Sequence, residues 1–198
     1  HEAAEVRAVL DEVGLKGISC HAPIPDTIEG RYALIAFLKQ VGCEYMAIPF
    51  LDDAHRPGGP GFAATIQDIY SFGALLKQAG MQLLYHNHNF EFEMLSGQFG
   101  LDFLYDAVPA GLLKTEIDTC WVKYAGQDPA AYIRKYAGRA PVVHLKDYVG
   151  KMVAGKNPFA LLGQDGADDG SADEVPFEFR PVGHGCQDLP SLVAAASD

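Results

Sequence analysis

The sequence is short of several features that would narrow its chemistry at once. Among 198 residues there are only 4 Cys, at Cys20, Cys43, Cys120 and Cys186, and no two of them form a CxxC pair. That spacing gives no sign of a zinc knuckle or a disulfide framework, so free thiols in a reducing compartment are expected. Basic residues are scarce too: 15 Lys+Arg stand against 26 Asp+Glu, a net charge of -11. So acidic a surface repels a phosphate backbone, which argues against nucleic acid as a partner. No apolar run approaches the roughly 18 residues of a membrane span, and no signal-peptide pattern opens the chain. A cytoplasmic protein with no membrane partner is the expectation. No GxGxxG or GxxxxGK[ST] loop follows the first strand pattern, which removes support for a nucleotide-binding open sheet. What is present is an ordinary globular composition, 48% hydrophobic and 21% charged, with material for the core of one domain over residues 1–198.

Helix and strand patterns alternate along most of the chain. Ala3, Val6, Leu10 and Val13 recur at helical spacing before Gly14, and residues 28–41 repeat the pattern before Gly42. Phe62, Ile66, Ile69, Phe72 and Leu76 form a third stripe, ending at Gly80. Shorter helices are expected near 101–108 and 129–136, and another in LPSLVAAAS at the end. Between them lie apolar strands, KGISC, YMAIPF, MQLLY, KTEID and PVVHL, centred near 18, 47, 83, 116 and 143. A period of roughly 30 residues is the length of one βα unit, and strands apolar on both faces suit a parallel sheet. An α/β fold of the TIM (β/α)8 type fits best. Eight units need roughly 250 residues, so the barrel is expected to be incomplete here, without one or more N-terminal strands and without the last strand. Residues 150–182 break the period; their acidic run QDGADDGSADE reads as a loop and PFEFRPV as a short extended piece.

In such a barrel, chemistry sits where strands end and βα loops begin. Those positions hold His21, then His86, Asn87 and His88, then Asp118, then His144, Lys146 and Asp147. Four of the seven histidines fall at strand ends, together with a carboxylate. A divalent metal needs three or four N/O ligands converging from separate strands, and this set can supply them. Side chains alternate along a strand, so His86 and His88 share a side, either as two imidazoles in one site or as one ligand and one group against substrate. Asp118 adds negative charge, and Glu116, two residues earlier on the same side, is a weaker second candidate.

The strings LLYHNHNFEF, KTEIDTCWV, VVHLKD and VGHGCQDLPSLV, in this order and spacing, resemble the sugar phosphate isomerase/epimerase family of xylose isomerase-like TIM barrels. The resemblance covers nearly the whole chain, and YHNHxFEF and HLKD are its most specific parts. It implies a barrel with two strands before the first helix seen here and a final strand bearing a glutamate. It implies a divalent metal, Mn2+ first with Zn2+, Co2+ or Mg2+ as alternatives, held by His86, Asp118 and His144. His86 stands where relatives carry a glutamate. By position at the mouth Glu91, Lys146 and His88 are catalytic candidates, Glu91 as an acid/base or substrate-binding carboxylate and Lys146 steadying negative charge or pairing with Asp147. His21, Trp121 and His184 are substrate-binding candidates, with Phe90 beside Trp121 as an apolar wall.

The leading expectation is metal-assisted proton transfer next to a carbonyl, in an isomerase or epimerase acting on a small sugar or keto-polyol. A dehydratase or lyase on a keto-sugar and a non-catalytic carbohydrate-binding barrel are the alternatives. Phosphodiester hydrolysis of the endonuclease IV kind is disfavoured by the net charge. The substrate is expected to be neutral or weakly anionic, because Lys146 is the sole fixed cation among the site candidates; a homo-oligomer is compatible with all of this.

Overall fold

The computed structural model describes residues 2–150 and 177–198, and the acidic run at 164–174 lies outside them. The chain begins with α1 (Ala3–Glu12), β1 (Ser19–His21), α2 (Ile28–Val41), β2 (Tyr45–Ile48), α3 (Phe62–Gln78) and β3 (Gln82–His86). A 3-10 turn (Phe90–Phe92) and a small hairpin of β4 (Met94–Leu95) and β5 (Gln98–Phe99) precede α4 (Gly100–Ala107). Then come β6 (Leu113–Asp118), α5 (Thr119–Tyr124), α6 (Pro129–Lys135) and β7 (Val142–His144). A second hairpin joins β8 (Asp147–Val149) to β9 (Glu178–Arg180), and α7 (Leu189–Ser197) packs on α6.

The five strands expected from the periodicity form one parallel sheet in the order β1-β2-β3-β6-β7. Each helix has a local reason to begin or end where it does. Thr27 caps α2 by accepting from Gly30 N, and Gly42 closes that helix with φ 97, a conformation costly for a side-chain-bearing residue. Asp128 accepts from Ala130 N and Ala131 N ahead of Pro129, which opens α6.

Strand alternation divides the sheet into two faces. Met46, Ile48, Leu83, Tyr85, Leu113 and Ile117 turn outward and share a core with Leu38, Ile69, Phe72, Leu76, Leu101 and Leu104 of the helices. The opposite side chains, among them His21, His86, Glu116, Asp118 and His144, turn inward. The sheet is strongly curled into a half-barrel. Three strand spacings separate β1 from β6, about 14 Å if flat, yet His21 Nε2 lies 2.7 Å from Glu116 Oε1. Curling therefore brings four strand ends onto one point.

Two features outside the periodic pattern have local causes. α5 follows β6 at once, because the Asp118 carboxylate accepts from Trp121 N at 3.1 Å and starts a helix of a turn and a half. The β4–β5 hairpin turns through Ser96 (φ 50) and Gly97 (φ 91), a left-handed pair that matches strand twist. Among the described residues no helix is long and apolar enough to cross a membrane.

Candidate metal centre

The inward residues of β1, β3, β6 and β7 meet at the carboxyl ends of the strands. His86 pairs in register with Glu116, and Asp118 with His144, so alternation alone stacks these side chains on one face. One ligand atom each from His21, His86, Glu116 and His144 lies within 4.8 Å of the others. A tetrahedral shell with bonds of about 2.1 Å sets donors roughly 3.4 Å apart, so the widest of these gaps would close by about 1.4 Å around an ion. Asp118 Oδ2 joins the same group, 3.2 Å from His86 Nε2, 3.4 Å from His144 Nδ1 and 3.8 Å from Lys146 Nζ. The three residues expected to converge, His86, Asp118 and His144, are thus brought together. Glu116, ranked lower in the sequence, stands beside them.

The hydrogen bonds define the protonation. His86 Nδ1 faces the Pro49 carbonyl at 3.0 Å and must donate, which aims Nε2 into the cluster. Burial opposes a charge on His86, yet the hydrogen bond and charge of Asp118, with Pro49 and Glu116, outweigh it and raise its pKa. His86 Nε2 also lies 3.1 Å from His144 Nδ1. Burial lowers the pKa of His144 despite nearby Asp118, so its ring is neutral and Nδ1 accepts. Burial would raise the pKa of both carboxylates, but His86 holds Asp118 below its ordinary value and His21 does the same for Glu116.

The donor set fits a divalent ion. It offers imidazoles and carboxylates, Nε2 of His86 is fixed by its second-nitrogen contact, and buried Glu116 Oε2 has no hydrogen-bond partner among the described residues. Beside the cluster opens a cleft of about 250 Å³, lined by Ser19, His21, Glu116, Val142, His144 and Leu145 among others.

Four other candidates stand elsewhere. Glu91 is 1% exposed, and its oxygens accept from Tyr85 Oη at 2.6 Å and His88 N at 2.8 Å. Tyr85 lies on the helix side of β3, so Glu91 sits behind the strand and not in the cluster. His88 packs on Phe90 (rings stacked, 5.4 Å) and Trp121 (5.5 Å). Burial and the charge of His86 push its pKa down to about 3, so it stays neutral. Trp121 is fully buried against Phe177 and Phe179 with Lys146 Nζ over its ring at 4.8 Å, and it offers a substrate no surface. His184 is exposed, in a loop where its amide donates to the Pro181 carbonyl. Lys146 pairs with Asp118 and not with Asp147, whose carboxylate is wholly occupied by the amides of Tyr148, Gly183, Gly185 and Gln187.

No protein-family model matches the chain, and the comparison with curated proteins gives no match. Solved structures do match. A sugar phosphate isomerase/epimerase from Parabacteroides distasonis is 21% identical with a TM-score of 0.61, over 80% of this chain and 62% of that one. The probable 3-DHS dehydratase AsbF from Bacillus anthracis reaches a TM-score of 0.69 at 12% identity, over 98% and 71%. An IOLI protein with a binding zinc atom gives 0.64 at 12% identity, over 100% and 68%. The chain therefore spans roughly two thirds of the length of these structures. The likeness establishes the fold: the structural neighbours of this half-barrel are the sugar phosphate isomerase/epimerases and other xylose isomerase-like TIM barrels.

Proposed function

We propose that this chain carries the metal site of an enzyme that moves a proton at the carbon next to a carbonyl, in a small neutral sugar or keto-polyol, as an isomerase or epimerase does. The observation that carries this reading is the convergence of His21, His86, Glu116, Asp118 and His144 at the carboxyl ends of four parallel strands. His86, Asp118 and His144 would hold the ion, with Glu116 Oε2 as a further donor. Imidazole-rich sets suit Zn2+ or Co2+ better than Mn2+ or Mg2+, which moves the expected ion away from manganese. When bound, a divalent ion there supplies Lewis acidity toward neighbouring oxygens of the substrate.

The chain's own residues divide the remaining work. His21 stands at the open side, with its side chain 38% exposed and its Nε2 donating to Glu116, oriented to exchange a proton with a substrate at the mouth. Lys146 holds a positive charge beside Asp118, where it would stabilise negative charge on a substrate oxygen. Trp121 and His88 fill the floor behind the cluster and keep water from it. Loss of a β-hydroxyl begins with the same proton removal, and the fold shared with a probable 3-DHS dehydratase keeps dehydration as the second reading.

The test is to load the purified protein with Zn2+ and incubate it in deuterated water with a panel of ketoses. Proton NMR should show loss of the signal from the carbon next to the carbonyl, or a dehydrated product for the second reading. A protein that binds no metal and exchanges no such proton would sink both.

A further inference from the structure

The string His86-Asn87-His88-Asn89 looks like a row of ligands, yet only His86 enters the cluster. Asn87, between the two histidines, is fully buried and reaches across to the main chain of β6. Its Oδ1 accepts from Asp118 N at 2.9 Å, and its Nδ2 lies 3.4 Å from the Asp118 carbonyl. Strand pairing between β3 and β6 stops at His86 and Glu116. One more step in that register would set Asn87 opposite Ile117, the residue just before the Asp118 amide. The side-chain amide of Asn87 takes that place: like a peptide group it offers one acceptor and one donor, at the height where β3 leaves the sheet. Glu91 holds the departure itself, since its Oε2 accepts from His88 N.

We propose that Asn87 is a positioning residue, the brace that fixes the main chain of Asp118 and so the aim of its carboxylate at His86 and His144. The inference rests on the proposed metal reading only for its consequence, not for the geometry. Asp118 is fully buried, so its amide has no water to turn to if Asn87 is lost. The main chain must then shift toward another acceptor. Its carboxylate oxygens are committed at both ends, Oδ1 to Trp121 N and Oδ2 to the His86 imidazole, so a main-chain shift misaims Oδ2. Residues that orient a ligand in this way govern metal affinity without touching the ion.

The test compares Asn87→Ala with Thr115→Ala in the intact protein. Thr115 is equally buried, lies on β6 and turns away from the cluster, so its loss disturbs the strand without touching the brace. In metal-free protein, Asn87→Ala should unprotect the Asp118 amide to hydrogen exchange and shift the ring nitrogen resonances of His86 and His144. Thr115→Ala should leave those resonances in place. In zinc competition, Asn87→Ala should weaken binding by about ten- to hundredfold and Thr115→Ala by less than about twofold. Histidine resonances unmoved in Asn87→Ala, or moved equally in Thr115→Ala, would overturn the brace. Absence of zinc binding in the unmutated protein would instead overturn the metal reading, while the metal-free resonances still decide the role of Asn87.

Discussion

Asp118 closes β6 and Asp147 opens β8 just past the neighbouring strand β7, and the two are almost equally buried, 0% and 1% exposed. Both carboxylates are held below their ordinary pKa against the pull of burial. Their partners differ completely. Asp118 Oδ2 faces His86, His144 and Lys146, groups that carry or exchange protons. Among the described residues Asp147 faces only backbone: Oδ1 accepts from Tyr148 N and Gln187 N, and Oδ2 from Gly183 N and Gly185 N. A Cβ on Gly185 would overlap Asp147 Oδ1 and the Tyr148 carbonyl, so the loop is shaped around this one side chain. A buried, depressed carboxylate is therefore no signature of chemistry by itself. The kind of group that keeps it ionised separates a site from a clasp.

The comparison breaks or stands on a matched pair of substitutions, and this is the largest effect expected. Asp118→Asn should lower zinc affinity by about hundredfold or more, beyond the usual cost of an orienting residue. The fold should survive, because asparagine is as good an N-cap for α5 as aspartate. Asp147→Asn should do the reverse. An NH2 group would face amides that now have an acceptor, a loss of about 3 kcal/mol, or about 6–12 °C in Tm for a chain of this size. Zinc affinity should stay within about twofold of the unmutated value. Calorimetry and zinc competition on both variants check it; a fall in zinc affinity in Asp147→Asn without a fall in Tm would erase the distinction.

Glu91 sharpens the contrast as a third buried carboxylate, served by neither imidazoles nor a full set of amides. Burial raises its pKa from 4.5 to about 7, against the hydrogen bonds from Tyr85 and His88 that favour the ion. The folded state therefore holds this proton more tightly than the unfolded chain does. Its contribution to stability is complete below about pH 4.5 and is lost as the pH rises through about 7. Glu91→Gln keeps a neutral amide at the position and removes the titration. The variant should flatten the part of the Tm-against-pH curve between those two values, and an unchanged slope there would show that Glu91 titrates normally.

The fold was legible because apolar side chains repeat. Five strands and six helices announce themselves through Leu, Ile, Val and Phe at spacings that sequence displays directly. α5 and the two hairpins are too short to show a period, and α5 owes its start to one carboxylate. The cluster was legible for the same reason as the strands: once the ends are located, alternation puts His86, Glu116, Asp118 and His144 on a common face. Glu116 was ranked low although that alternation placed it beside Asp118. The misplaced candidates share a different cause. Trp121 is covered by Phe177 and Phe179, more than fifty residues later, and Asp147 is claimed by amides of the loop at 183–187. Such partners leave no local trace.

The smallest effect is expected at His184, where sequence reasoning placed a substrate contact on a glycine-flanked histidine. Both neighbouring glycines have structural reasons: their amides donate to Asp147, Gly183 adopts φ 92, and a Cβ on Gly185 would overlap Asp147 Oδ1. The glycines therefore say nothing about a ligand for the residue between them. The His184 side chain is exposed, and its amide is already used by the Pro181 carbonyl. His184→Ala should change stability by no more than about 0.5 kcal/mol and leave zinc affinity and any ketose proton exchange unaltered. Isotope exchange on the variant, run beside the unmutated protein at the same metal loading, is the measurement. A clear drop in exchange at unchanged Tm would put His184 back at the mouth, through closure of its loop over a bound substrate.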